Sequence, residues 1–225
     1  MRDIAPFIRK RFQCIALAVG ALLGASMLPA AAQSSYSSLP GASDIKIDGT
    51  SSLHDWEMEG TLIGGTLQFG AGVELDPAKT DVAGAQGNKV SAKSHIIVPI
   101  TSIHSKADHM PDTMDRLMQE ALKASDNPRI ELTMTDLMFK GPHEAGKPFN
   151  FDVTGNLSIA GKSNHVTFPV TMDCSQPDKI VVNGTVPIKM TDYGVTPPAP
   201  NFGLGMMKVG EDVKIIFQWT VHKRK

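Results

Sequence analysis

Apolar and polar residues alternate with a period of two along most of the chain from residue 45 onward. Such alternation predicts strands with one buried face. The clearest apolar faces are Phe149, Phe151, Val153, Gly155, Leu157 and Ile159; Val166, Phe168, Val170 and Met172; Ile180, Val182, Gly184, Val186, Ile188 and Met190; and Val213, Ile215, Phe217, Trp219 and Val221. Residues 55–62 alternate as well, and weaker runs cover 45–48, 64–69, 90–100 and 130–134. The pattern predicts eight or nine strands, several of them 9–11 residues long.

One segment follows the helical period instead. Its apolar positions are Met110, Met114, Leu117, Met118, Ala121 and Leu122. The spacing predicts an amphipathic helix that begins near Pro111 and ends before Asn127-Pro128.

Two long loops are predicted between these elements. Residues 70–88 are rich in Gly, Ala and Asp, whereas residues 191–210 carry three prolines and an apolar tip that includes Phe202 and Leu204. Long loops in a compact domain are usually functional or flexible. We interpret the second loop as a lid or lip over a binding mouth.

Long antiparallel strands with a single helix can close into a barrel or stack as a sandwich. We favour an antiparallel barrel of about eight strands, because closure removes exposed sheet edges. A barrel of this size can also hold one small ligand. A jelly roll or an immunoglobulin-like sandwich is the alternative, although no Cys…Trp…Cys spacing supports the latter.

The first 32 residues have the parts of a secretory signal peptide. Four basic residues precede a short apolar run from Cys14 to Leu28, which ends in Pro29-Ala30-Ala31-Ala32. We predict cleavage after Ala32, a flexible leader over residues 33–42, a domain over 43–222, and a periplasmic or secreted location. Beyond the signal there is no apolar stretch long enough for a transmembrane span.

Charge and cysteine content narrow the function further. The signal carries a surplus of three positive charges, so the remaining 193 residues carry −4 from the total of −1. This balance excludes a basic nucleic-acid-binding surface. Cys174 is alone after cleavage, so no intrachain disulfide is expected, and we predict that it packs rather than reacts.

Several segments together resemble the YceI-like family of exported lipid-binding proteins. They are Gly49-Thr50-Ser51-Ser52-Leu53-His54-Asp55-Trp56, Ile100-Thr101-Ser102-Ile103, Glu120-Ala121-Leu122-Lys123-Ala124, residues 155–163, Met190-Thr191-Asp192-Tyr193-Gly194-Val195, and residues 208–213. The resemblance spans about residues 43–222. One departure is His54-Asp55-Trp56, where many relatives read His-Ser followed by an apolar residue.

The resemblance implies a lipocalin-like antiparallel β-barrel whose interior takes a polyisoprenoid or another long-chain amphipathic lipid. It also implies a non-catalytic protein without a cofactor, and it leaves a homodimer open. The inward positions that we predict to contact ligand are Trp56, Met58, Phe151, Phe168 and Phe217 on strands, Met114, Leu117 and Met118 on the helix, and Phe202 and Leu204 on the lid. The ten methionines outside the signal fit an adaptable apolar cavity, and equally an ordinary core.

Two other chemistries have weaker support. His54 and Asp55 could form part of a catalytic relay with Ser51 or Ser52, but no nucleophile motif accompanies them. His104, His109, Met110, Met114 and Met118 combine imidazole and thioether groups, which favour copper. A periplasmic metal or redox accessory protein is therefore the alternative to a lipid carrier.

Overall fold

The computed structural model describes residues 33–199 and 207–224. Its strands are β1 (Ser34–Ser38), β2 (Asp44–Ser51), β3 (Trp56–Gly60), β4 (Gly64–Phe69), β5 (Ala92–Pro99), β6 (Ile103–Ser105), β7 (Arg129–Phe139), β8 (Phe149–Ile159), β9 (Lys162–Asp173), β10 (Lys179–Lys189) and β11 (Val209–Lys223). Its α-helix is α1 (Pro111–Ala121). No helix of the described residues is long and apolar enough to cross a bilayer.

Eight strands close into an antiparallel barrel in the order β1-β4-β5-β7-β8-β9-β10-β11, and β11 pairs back to β1. The first part of β11 pairs with β2, which continues to β3 and β6. Closure satisfies the edges that an open sheet would expose. The predicted barrel is confirmed, and the sandwich alternative is wrong.

The flexible leader predicted over residues 33–42 needs correction, because β1 lies within it and completes the barrel wall. Four of its five residues are serine, so the segment carries almost no hydrophobic signal. Tyr36 supplies the inward contact through an edge-to-face arrangement with Phe69, with ring centroids 6.0 Å apart. The strand forms because both of its neighbours offer unpaired backbone groups.

Strand β7 runs five residues beyond the predicted end at Met134. A bulge between Met134 and Asp136 shifts the register against β8. The buried residues are therefore Met134, Leu137 and Phe139, and the period of two is lost after Met134. A β-bulge places two residues opposite one on the partner strand. The inward and outward positions then change phase, so a strict alternation of apolar and polar residues no longer marks the strand.

Helix α1 confirms the predicted amphipathic segment and packs beside β6. Pro111 occupies its first turn, where a missing N–H costs nothing. Asp115 fixes the helix to β6: one carboxylate oxygen accepts the Ser105 N–H at 2.6 Å, and the other lies 2.7 Å from His104 Nδ1. We call this the helix end of the barrel.

The opposite end, which we call the plugged end, is filled by aromatic side chains. Phe139, Phe149 and Phe151 lie with centroids 5.7–6.3 Å apart. His143 is buried and its ring stacks on Phe149 with a centroid distance of 3.8 Å. The backbone N–H of His143 donates to the carbonyl of Thr80 in the predicted 70–88 loop. That loop therefore folds over the barrel instead of extending into solvent.

Candidate ligand-binding site

An inward-facing row of register partners crosses six neighbouring strands and begins at the aromatic plug. From β8 to β3 it consists of Phe151, Val170, Gly184, Phe217, Ile45 and Gly60. Gly184 lacks a side chain where the Phe217 ring leans across the wall: an added Cβ would lie 2.6 Å from Phe217 Cζ and 3.1 Å from Val170 Cγ1. A glycine in a strand interior often marks such a close approach.

A cleft of about 740 Å³ follows this row. Three of its apolar lining residues, Ile45, Phe151 and Val170, are at most 4% exposed, whereas Gly184 and Phe217 are partly exposed. Most of the other lining residues, such as Asp152, Pro169, Thr185 and Gln218, occupy outward-facing positions, so the cleft lies on the outer face of the barrel wall with the inward row as its floor. The volume lies within the range of small-molecule sites.

Charged residues of the flanking outward-facing rows also line this mid-barrel cleft. Lys140 pairs with Asp152 at 2.8 Å, and Glu59 pairs with Lys106 at 2.9 Å. Hydrogen bonding to Lys106 lowers the pKa of Glu59, and hydrogen bonding to Glu57 raises the pKa of Lys46. The rim is therefore ionised at neutral pH, which gives the cleft an apolar floor between charged edges.

A second opening lies where β9 and β10 separate toward the helix end. Their pairing stops at Val170 and Gly184. Beyond that point each strand carries a proline: Pro169 pairs with Asp152 on the β8 side, and Pro187 pairs with Lys214 on the β11 side. Because proline has no N–H, it is tolerated where that position faces away from a partner strand. The two prolines are therefore compatible with the unpaired facing edges of β9 and β10 in this region.

The gap holds a cavity of about 440 Å³, which we call the β9/β10 window. It is lined by Lys162, Asn164, His165, Val166, Pro187, Ile188, Thr191, Asp192 and Tyr193. Val166 and Ile188 belong to the inward-facing sets of their strands and are half-buried here. The lining of the window is therefore mainly polar, with a small apolar part that includes Val166 and Ile188.

Tyr193 lies in the short 3₁₀ helix Met190–Tyr193 and is 2% exposed. Its hydroxyl is buried without a hydrogen-bond partner. Burial raises the pKa of the phenol. The nearby side chain of Asn164 lowers this pKa by a smaller amount, although it does not lie in hydrogen-bond geometry to the hydroxyl. Asn164 Nδ2 instead donates to the backbone oxygen of Asp192 at 2.9 Å. The phenol is therefore neutral at physiological pH, and its hydroxyl has almost no accessible surface.

The structure distributes the predicted site residues over several places. Phe151 and Phe217 line the mid-barrel cleft, and Phe168 packs edge-to-face on Phe217 at 6.2 Å. Met58 is buried in the core. Trp56 is partly exposed and packs against the same core. Met114 and Met118 contact the same core from α1, and Leu117 is half-buried. Phe202 and Leu204 lie outside the described residues, and the lid prediction lies there with them.

Sequence reasoning did not select the window residues. Their available signals were the prolines inside two strand patterns and the glycine at position 184. Tyr193 stood out only as part of the segment Met190–Val195 that carries the family resemblance, because its environment arises only when β9 brings Asn164 beside the turn that follows β10.

The arrangement around His54 is not that of a catalytic relay. Ser51 Oγ donates to the backbone carbonyl of His54 at 2.6 Å, and His54 Nδ1 lies 2.8 Å from the carbonyl oxygen of Asp55. Ser51 thus bonds the backbone rather than the imidazole. Within the described residues there is also no group of three His, Cys, Asp or Glu side chains that could hold a metal ion.

A closed antiparallel barrel of eight strands with a single helix is a lipocalin-like architecture. A family model described as a YceI-like domain matches residues 40–221, and the chain belongs to the YceI-like family. No curated protein sequence matches the chain significantly.

Two solved structures show the same fold. BcnA from Burkholderia cenocepacia superposes with a TM-score of 0.56 at 19% identity, covering 81% of this chain and 98% of BcnA. A polyisoprenoid binding domain from Saccharophagus degradans, implicated in plant cell wall breakdown, superposes with a TM-score of 0.56 at 12% identity. That comparison covers 84% of this chain and 98% of the domain.

Proposed function

We propose that this protein binds a polyisoprenoid or similar amphipathic lipid in its barrel, and that it sequesters or carries the lipid without changing it chemically. The observation that carries the proposal is the closed barrel with an apolar interior, plugged by aromatic side chains at one end. Membership of the YceI-like family and the fold shared with a polyisoprenoid binding domain support this choice of ligand.

A lipid tail gains little by leaving a membrane for such a barrel. Transfer of one methylene group from water to an apolar interior is favourable by about 0.8 kcal/mol. Counted from water, a forty-carbon tail would therefore give a nominal binding free energy of about 30 kcal/mol. That exceeds the observed ceiling of about 18–21 kcal/mol for non-covalent binding. The physical reference is the membrane, where the tail is already out of water. Cavity shape and polar contacts then decide which lipid binds.

The central experiment is organic extraction of the purified protein, followed by mass spectrometry of the extract. We expect a long-chain isoprenoid or related lipid at close to one molecule per chain. Metal analysis of the same sample tests the copper alternative directly. Protein without lipid but with stoichiometric metal would overturn the proposal in favour of a metal or redox accessory role.

We further propose that the protein acts in the periplasm or outside the cell after removal of residues 1–32. The basic start and small residues before Gln33 support this processing. Intact-mass analysis of the exported protein is expected to give a chain that begins at Gln33. A dominant full-length species in the membrane fraction would contradict it.

A further inference from the structure

The two ends of the barrel are closed to different degrees. At the plugged end, Phe149 and Phe151 are at most 1% exposed. At the helix end, no residue of α1 is fully buried, and Met114 and Met118 are only half-buried where they pack against the core. An element with few fully buried apolar contacts opens locally at a low free-energy cost. The helix end is therefore the weaker closure of the barrel.

The backbone on both sides of α1 is in an unusual conformation. Met110, directly before the helix, has a φ of 52°, and Lys123, two residues after its end, has a φ of 53°. Residues other than glycine rarely adopt this left-handed region, and such strain collects at segments that switch between conformations. A rotation of the helix about these two residues can relieve the strain, so they have the position and the conformation of hinges.

One side chain of α1 bonds the helix to the barrel wall at two points. Asp115 accepts the backbone N–H of Ser105 at 2.6 Å through one oxygen, and its other oxygen lies 2.7 Å from His104 Nδ1. Arg116 instead pairs with Glu120 of the same helix at 2.8 Å, which leaves docking unaffected. Asp115 therefore acts as a latch between α1 and β6.

The inner face of α1 is suited to contact with hydrocarbon. Met114 and Met118 pack against the same apolar cluster that fills the barrel. Methionine side chains are flexible and adapt to irregular apolar surfaces. When the helix moves outward, a hydrocarbon chain can replace the core as the partner of these side chains, so that they do not become exposed to water.

We propose that α1 is a movable cover of the barrel, hinged at Met110 and Lys123 and latched through Asp115, and that the lipid tail enters and leaves beneath it. The inference rests on the proposed lipid-binding function and adds the route of exchange. The plugged end stays closed while lipid is exchanged.

The first test locks the cover. In the double variant His104→Cys with Asp115→Cys, a short bis-alkylating reagent such as 1,3-dibromoacetone joins α1 to β6. The control is Thr154→Cys with Thr167→Cys, because these register partners of β8 and β9 have hydroxyls 3.0 Å apart and lie away from the helix. The native Cys174 reacts slowly, since burial raises the pKa of its thiol to about 12.

Uptake is measured with geranylgeraniol in phosphatidylcholine vesicles. Protein is separated from vesicles at successive times, and its geranylgeraniol is quantified by mass spectrometry. We expect the α1–β6 cross-link to abolish uptake relative to the same variant before cross-linking, and the control cross-link to leave uptake unchanged. Protein that is loaded first and cross-linked afterwards is expected to retain the probe when empty vesicles are added.

The second test releases the latch. Asp115→Ala removes both contacts with β6, and we expect it to speed uptake about tenfold or more, the equivalent of one lost hydrogen bond to a charged group. Hydrogen exchange should rise in residues 111–121 and stay unchanged in β8. Asp112→Ala is the matched control, because it removes an exposed carboxylate from the first turn of the same helix.

Equal uptake before and after the α1–β6 cross-link would overturn the cover and leave lipid binding intact. Equal uptake and hydrogen exchange in Asp115→Ala and Asp112→Ala would overturn the latch. A parent protein that takes up no geranylgeraniol would overturn the proposed lipid binding itself. The cross-linking comparison is made within one folded variant, so it decides the question even if Asp115→Ala does not fold.

Discussion

Single side chains decide how the inner wall is shaped. Gly184 leaves the space that Phe217 fills, and Phe168 restrains the same ring from the other side. We expect Gly184→Ala to destabilise the protein by about 1–3 kcal/mol, the usual cost of an extra methyl group in a packed wall. Urea denaturation measures the change.

The control for this prediction is Gly64→Ala on β4. There an added Cβ would meet only the Ile97 carbonyl oxygen, at an ordinary 3.7 Å. An equal loss in both variants would mean that strand propensity, rather than contact with Phe217, determines the effect at Gly184.

Cys174 is predicted to be inert. Burial raises the pKa of its thiol to about 12, with a smaller contribution from the charge of Asp173. Because the thiolate is the reactive form, almost none is present at neutral pH. Alkylation by iodoacetamide at pH 8 should be slow in the folded protein and fast after addition of denaturant. Labelling of the folded protein at the rate of a free cysteine would contradict this.

The individual residues of the site were only partly predictable. Phe151 and Phe217 share a cleft because each follows the period of its own strand, which the sequence displays. Tyr193 and Asn164 meet across 29 positions of sequence through a strand separation, and no local pattern encodes that distance. For the same reason, no local sequence pattern predicts which charged residues meet at the rim of the window.

Among the elements, β1 contributes more to the closure of the barrel than its serine-rich composition indicates. It is short and serine-rich, yet it bonds β4 on one side and β11 on the other. Tyr36→Ala removes its aromatic contact with Phe69, and we expect a loss of about 2–3 kcal/mol in the free energy of unfolding. Tyr36→Phe keeps the ring and serves as the control. If the alanine variant matched the parent protein, β1 would not be needed for closure.

The strong strand patterns were reliable, and the irregular ones were not. The predicted strand at 149–159 matches β8 at both ends, and α1 begins at Pro111 as the spacing predicts. β7 was shortened because its bulge interrupts the alternation. β9 begins at Lys162 rather than Val166, because its first residues are held by pairing with β8 and face outward or toward the window. Pairing partners, rather than hydrophobicity, define those parts.

For the molecule as a whole, the inward-facing aromatic side chains set the space available to a tail inside the barrel. Phe217 is the aromatic residue of the inner row that is only partly buried, whereas Phe151 and Phe168 are almost fully buried. Phe217→Ala is expected to enlarge the interior and shift co-purified lipid toward longer or bulkier chains, as measured by mass spectrometry of extracts. Phe69→Leu, which changes a buried side chain on β4 that does not stack on Phe217, is the control.

Both variants must first match the parent protein by circular dichroism. A lipid profile that stays the same in folded Phe217→Ala would show that this face packs a solid core. It would place the tail elsewhere in the barrel and remove Phe217 from the account of selectivity.

The position of β11 between β10, β2 and β1 also has a consequence for biogenesis. Ser37 pairs with His222, so β1 cannot complete its pairing until β11 has been synthesised. A chain that stops before residue 209 leaves three strands with open edges, which are templates for aggregation. Only the finished polypeptide hides them, so we expect truncated products to be degraded rather than to accumulate as soluble protein. The C-terminal strand thereby serves as a built-in check of completeness during protein production.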